Sequence, residues 1–370
     1  MRIGVNALYL IPGGVGGTEI FLRNLLDALS RIDRVNQYVI YTNSGTGKEL
    51  VPNAPNFRQS RQRVNATLRP ARILWEQTVL PFSVAADKLD VLLNGGFTAP
   101  VLAACPQVTF IHDMQYKRHP EYFRRVDLLF WNLLVGAAIR RSSRLVTISE
   151  SARADIREFF QLDAAVAPLG VEQRFFDIAS DRKTQNPEPL ILCVSTLHPH
   201  KNIELLLRAY AKFRNKYPDI KLVLAGMRGF HARPVELLIE ALSLSDHVTI
   251  TGWIPREDIY KLYTHASAFV FPSLFEGFGI PLVEAMAAGI PSICANLEPM
   301  KSNAGGAALT FEPASVDELA NCLLRVTSDA QLRAHLCSAG QAQAQQFRWE
   351  RTAAVTLHEV TEAMRLARLY

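Results

Sequence analysis

The residues whose type and spacing most directly suggest chemistry are two glutamates eight positions apart, Glu276 and Glu284, in the stretch FEGFGIPLVEAMAAG. A carboxylate accepts hydrogen bonds from sugar or ribose hydroxyls, and Gly277 and Gly279 let backbone N–H groups approach a ligand closely. A helix beginning near Pro281 favours a negative group such as a diphosphate at its start. A lone acid in that place equally reads as a complement to its own helix dipole. Here Phe278 stands between two glycines, a proline follows, and the helix behind is almost uncharged.

Three other places carry candidate chemistry. An uncharged strand, QVTFI, delivers His112 and Asp113 at its tip, and burying such a pair is costly unless it is well hydrogen-bonded. The loop TLHPHKN places Lys201 just before a helix, where a cation adds to the dipole in meeting a diphosphate. The amino-terminal loop LIPGGVGGTE, with Gly13, Gly14 and Gly16, runs from strand to helix in the form that cradles phosphate. It does not complete the dinucleotide fingerprint, because Gly14 and Gly16 lead to Glu19, and the next strand, YVIYT, ends in Thr42 where an acid would hold a ribose. No D-x-D occurs in the chain, and the five cysteines are scattered in apolar contexts with no C-x-x-C, which argues for free thiols and against a metal site.

The elements that must position these residues alternate between strand and helix. Short apolar runs (RIGVNALY, YVIYT, DVLLNGG, QVTFI, RLVTIS, then LILCVS, KLVLAG, VTITG, FVF, SICA) are separated by segments of helical periodicity, such as Thr18–Ser30 and FRRVDLLFWNLLVGAAIRR. RILWEQTVLPF reads as an amphipathic helix ending before Pro81. That alternation predicts parallel sheets with loops at strand carboxyl ends as the place for ligands. The 370 residues suffice for two domains, and the polar stretch DIASDRKTQNPEP over 177–189 is the expected hinge. The expected organisation is 1–178, 179–348 and a terminal helix over 349–370. Residues 1–180 hold 21 Lys+Arg against 16 Asp+Glu, and residues 181–370 hold 19 against 19, so the excess positive charge lies in the first half. An anionic partner suits that half, either a lipid pyrophosphate or an acidic membrane face, as does a generic basic surface. Arg58, Arg61, Arg63, Arg69 and Arg72 follow one another with no acid until Glu76. With no apolar run of membrane-spanning length and no signal-peptide pattern, the expected location is cytoplasmic, and no nucleic-acid partner is expected.

The segment E-GFGIPLV-E resembles the E-x7-E region of the retaining glycosyltransferases of family 4, which have the GT-B fold. HDMQYKRHPEYF, the glycine loop, Lys201 and the FRWERTA tail recur in the order that family shows. The resemblance implies two Rossmann-like α/β domains facing across a cleft, with the last helix crossing back onto the first. It implies a catalytic role for His112 near the reacting carbon and for Glu276 on the sugar hydroxyls, with Phe278 and Gly279 amides beside it. Glu284 would hold the ribose, Lys201 and the Gly13, Gly14 and Gly16 amides the diphosphate, and the backbone at Ile254 the base. Thr196 stands where many members carry Arg, which removes one charge from the diphosphate site. The implied activity is transfer of a hexosyl unit, without metal or other cofactor, from a GDP- or UDP-linked sugar. The acceptor would be a saccharide or lipid-pyrophosphate-linked saccharide of a cell-surface polysaccharide, met at the inner membrane face. Two alternatives stay open: a nucleotide-sugar isomerase or epimerase on the same scaffold, and a non-catalytic assembly subunit.

Overall fold

The computed structural model describes residues 1–11, 16–182 and 187–369. They divide into two units, one of residues 1–170 with 348–370 and one of residues 171–347.

The first unit is built on a seven-stranded sheet. Its strands are β1 (Arg2–Ala7), β2 (Gln37–Thr42), β3 (Phe57–Arg61), β4 (Val91–Asn94), β5 (Gln107–Ile111), β6 (Arg144–Thr147) and β7 (Ala165–Val166), in the order β3-β2-β1-β4-β5-β6-β7. Pairing is parallel, with Val5 opposite Ile40 on one side and Leu93 on the other. Runs such as VNA and YVIY are buried residue after residue because helices cover both faces of the sheet. The helix Gly17–Ile32 buries Phe21, Leu22, Leu25, Leu26 and Leu29, the three-and-four spacing of one apolar face. The carboxyl-terminal helix, Trp349–Ala367, belongs to this unit. Thr352 Oγ1 donates to the Pro168 carbonyl at 2.5 Å, and Arg144 Nε and Arg31 Nη2 bind Glu359 and Glu350 at 2.6 and 2.8 Å.

The helix expected over RILWEQTVLPF does end before Pro81, at Thr78, and a second helix that the sequence reading did not separate, Leu80–Ala86, follows at once with Pro81 in its first turn. A proline is tolerated there because the first-turn N–H has no intrahelical acceptor to lose.

The second unit carries a six-stranded parallel sheet. Its strands are β8 (Leu190–Val194), β9 (Lys221–Ala225), β10 (Val248–Gly252), β11 (Ala268–Phe271), β12 (Ser292–Ala295) and β13 (Leu309–Phe311), in the order β10-β9-β8-β11-β12-β13. Chain order reverses direction between β8 and β11, so the loops leaving those two strands flank a topological switch point, where open α/β sheets leave a crevice. Residues 171–178, expected in the first domain because the polar stretch follows them, fold with this unit. Phe175, on the helix Gln173–Asp181, is fully buried edge-on to Tyr260 and Tyr263, with ring centroids 5.3 and 4.9 Å away. That aromatic contact outweighs a composition signal whose first residues, Asp177–Asp181, are themselves helical.

Candidate active site

The loop after β8 carries Thr196 and Lys201, and the loop after β11 carries Glu276, Phe278 and Gly279, so the switch point of the second sheet brings the two together. Leu274 N–H donates to the His200 carbonyl at 2.7 Å and ties one loop to the other. Lys201 Nζ stands 2.6 Å from Glu276 Oε1, with the two side chains only 16% and 14% exposed. Lys201 closes a short 3-10 turn, and Asn202, at φ 55°, starts the helix Ile203–Arg214. A cation, a carboxylate and a helix start thus share one small volume. An anion brought to this place would compete with Glu276 for the ammonium, and a carboxylate so displaced can accept hydrogen bonds from hydroxyls.

The rest of the Glu276 loop is shaped by its backbone. Gly279 has φ 89°, which an L side chain rarely adopts, and from it the helix Ile280–Ala287 departs with Pro281 in its first turn. Phe278 turns its ring into the core, at a right angle to Phe347, and its carbonyl accepts from Asn303 Nδ2 at 2.7 Å. Among the described residues, no backbone carbonyl takes the Phe278 or Gly279 amide N–H. Ser273 Oγ, in the same loop, is buried without a hydrogen-bond partner among the described residues. Thr196 lies against the start of the β9 loop: a Cβ on Gly226, whose φ is 143°, would come within 2.3 Å of the Ser195 carbonyl oxygen. His198, half-buried beside them, is held neutral first by burial and then by the Lys201 charge. Ile254 is half-buried just past β10, next to Trp253, which is 62% exposed.

Glu284, implied as the ribose ligand, is 3% exposed and already engaged, accepting from Arg256 Nη2 at 2.6 Å and from the Tyr263 hydroxyl at 3.2 Å. Burial raises its pKa and Arg256 opposes that rise. Arg256 also bonds Glu172 at 3.0 Å and lies over the Phe175 and Tyr260 rings, a cation between two acids and two aromatic faces. Direct ribose contact by Glu284 requires this cluster to open. Sequence reading missed Arg256, which stands in the charged first turn REDIY and looks like a solvated helix start. The only signal was its place two residues beyond Ile254.

In the first unit, His112 follows β5 and is 5% exposed. Its Nε2 lies 2.8 Å from the Gly95 carbonyl oxygen. The carbonyl can only accept, so Nε2 carries the proton and Nδ1 keeps a lone pair. Phe21, Phe97 and Phe110 surround the ring, and burial lowers its pKa to about 4, so the imidazole is neutral near pH 7. It can orient a hydroxyl or accept a hydrogen bond, but it is not a ready acid. Asp113 Oδ1 accepts from the Gln115 amide at 2.9 Å. Gly16 has φ 56° just before the first helix, whereas Gly13 and Gly14 lie outside the described residues. No group of three or more His, Cys, Asp or Glu able to hold a metal occurs among the described residues, and no helix there is long and apolar enough to cross a membrane.

Two family models match the chain: glycosyl transferases group 1 over residues 176–343, and glycosyltransferase family 4 over residues 15–175. Among curated relatives, O-antigen chain mannosyltransferase B of Escherichia coli is 29% identical over 269 residues, 68% of this chain and 69% of that protein. The serotype-specific mannosyltransferase WbdA of Escherichia coli is 28% identical over 249 residues; the match takes 62% of this chain but only 30% of that longer protein. Among solved structures, Anabaena HepE in complex with UDP and glucose superposes with a TM-score of 0.74 at 21% identity, over 97% of this chain and 99% of that one, a likeness of fold.

Proposed function

The chain belongs to the family 4 glycosyltransferases, with the GT-B fold, and from that premise we propose that it moves a hexosyl unit from a GDP- or UDP-linked sugar to a saccharide or lipid-linked saccharide acceptor in surface-polysaccharide synthesis. The observation that carries the reading is the Lys201–Glu276 pair at the second sheet's switch point, a cation and a carboxylate side by side, the first suited by its chemistry to a diphosphate and the second to sugar hydroxyls. The mannosyltransferase relatives and the UDP and glucose held by a fold neighbour support the substrate class.

In this reading the bond from the anomeric carbon to the diphosphate oxygen breaks, the acceptor oxygen bonds that carbon on the same face, and the acceptor proton passes to the departing diphosphate. Lys201, the Phe278 and Gly279 amides and the helix start stabilise the charge that develops on the leaving group, so no metal is required. His112, neutral, takes a sugar hydroxyl. Arg256 and Tyr263 hold Glu284 beneath the nucleotide, and the Ile254 backbone meets the base. The reaction takes place in the cytoplasm, at the inner membrane face.

A panel of UDP, GDP, ADP and their sugars, read by thermal shift, tests the donor. One diphosphate should raise Tm clearly, and none doing so overturns the reading. Transfer with that donor should survive a chelator and yield a product of unchanged anomeric configuration. Epimerised sugar from donor alone would assign an isomerase instead.

A further inference from the structure

The first unit holds a cavity that shares the Phe97 ring with the His112 surroundings and otherwise draws on residues with no role in the site above. It has a volume of about 430 Å³ and opens beside the carboxyl ends of β1 and β4, where the first sheet reverses its own chain order. Tyr9, Phe97 and Trp131 supply aromatic walls, and Arg69 and Arg72 supply charge. Arg72 is the informative residue. It is 8% exposed, its Nη1 has no hydrogen-bond partner among the described residues, and the nearest carboxylate oxygen, on Glu76, stands 3.8 Å away. Glu76 is already occupied, accepting from Asn6 Nδ2 at 3.2 Å and Thr98 Oγ1 at 3.0 Å. A buried guanidinium N–H left without an acceptor at a cavity wall calls for an anionic oxygen from outside the chain. Arg69, exposed, lies over the Trp131 ring at 5.3 Å and completes a two-arginine mouth.

The cavity does not end at its charge. Phe130 lines it and also stands 52% exposed on the helix Arg125–Arg141, in line with Val126, Leu129 and Leu133, each 60% exposed or more. Those positions recur at three- and four-residue steps, so they form one apolar stripe facing solvent, with Arg124 and Arg125 exposed at its start. A cationic, aromatic-walled cavity continuous with an apolar stripe fits a molecule that is anionic at one end and hydrocarbon at the other.

We propose that this cavity and the adjoining Val126–Leu133 stripe bind the phosphate and hydrocarbon chain of a lipid-linked acceptor. Arg69 and Arg72 take the phosphate oxygens and Leu129, Phe130 and Leu133 cover the first part of the chain. This deepens the transferase reading and rests on it for the word acceptor; the binding itself does not require a donor.

Farnesyl diphosphate, a short soluble prenyl diphosphate, is the probe, titrated calorimetrically into the full chain beside farnesol and inorganic diphosphate. It should bind at least about tenfold more tightly than either half-molecule, because one contributes only charge-assisted bonds and the other only apolar burial. Arg69→Gln changes an exposed residue and should weaken it about five- to tenfold at unchanged Tm. Leu129→Ser with Leu133→Ser should weaken farnesyl diphosphate about tenfold while leaving inorganic diphosphate unaffected. Farnesol binding as tightly as its diphosphate overturns the proposal, as does indifference to either variant. Light scattering that shows a dimer broken by the two serines overturns it too, since the stripe's occupant is then a second copy of this chain. Failed binding beside intact transfer to a soluble saccharide sinks this inference alone; absence of transfer to any acceptor sinks the reading beneath it.

Discussion

Replacing Glu276 with Gln should tighten the binding of a bare nucleoside diphosphate while slowing sugar transfer, an opposition of signs that few other roles for this residue would produce. Lys201 Nζ lies 2.6 Å from Glu276 Oε1. At an effective dielectric of about 20 that contact is worth roughly 6 kcal/mol gross, most of it offset by the desolvation of two largely buried charges. The net attraction that a diphosphate must displace is then about 1 kcal/mol, by analogy with charge-assisted bonds in general. The amide of Gln keeps the shape and removes that competition, so the Kd for UDP or GDP, whichever the protein accepts, should fall roughly fivefold. Transfer should drop by about tenfold or more, because the charged acceptor for the sugar hydroxyls is gone. Titration calorimetry with the diphosphate and initial rates with the diphosphate sugar give the two numbers. Weaker binding of the bare diphosphate by Glu276→Gln would refute the idea that the glutamate holds the lysine in reserve.

Lys201→Ala should weaken the same diphosphate by about ten- to a hundredfold and leave the nucleoside alone unaffected, as competition binding would show. Arg256→Met strands a buried carboxylate and should cost about 3–5 kcal/mol. Because Glu284 is raised in the folded state, the deficit should shrink as pH falls toward the carboxylate's unfolded value near 4.5, visible as converging Tm values with wild type at pH 5 and diverging ones at pH 8. His112 behaves oppositely. Its pKa is depressed to about 4 by burial, so the stability of its neutral form is complete above about 6.5 and is lost as pH falls toward 4, roughly 3 kcal/mol in all. His112→Gln should flatten that part of the acid-denaturation curve. Gly226→Ala places a Cβ 2.3 Å from the Ser195 carbonyl at φ 143° and should lower Tm by several degrees, measured by calorimetry.

Strand and loop order were legible because both sheets are buried on two faces, and such strands appear as uninterrupted apolar runs ending in loop residues. Lys201 and Glu276 were legible for the same reason: each lies in the loop that leaves a strand, and the order of β8 and β11 makes those loops neighbours. What was not legible depended on contacts distant in sequence. Glu284 looks like any acid near a helix start until Arg256, 28 positions earlier, is seen against it. Arg72 looks like one of five arginines in a polar stretch until Glu76, Asn6 and Thr98 surround its end of the helix with polar groups already engaged with one another. Phe175 shows why the hinge was misplaced: composition marks where a chain is polar, whereas a unit boundary lies where packing changes partners.

The most direct test is a crystal structure of the full chain with its diphosphate sugar bound. Lys201 Nζ should lie about 2.7–3.2 Å from a diphosphate oxygen with Glu276 turned to the sugar hydroxyls. A diphosphate seated elsewhere, with the Lys201–Glu276 pair still closed at 2.6 Å, would contradict the account.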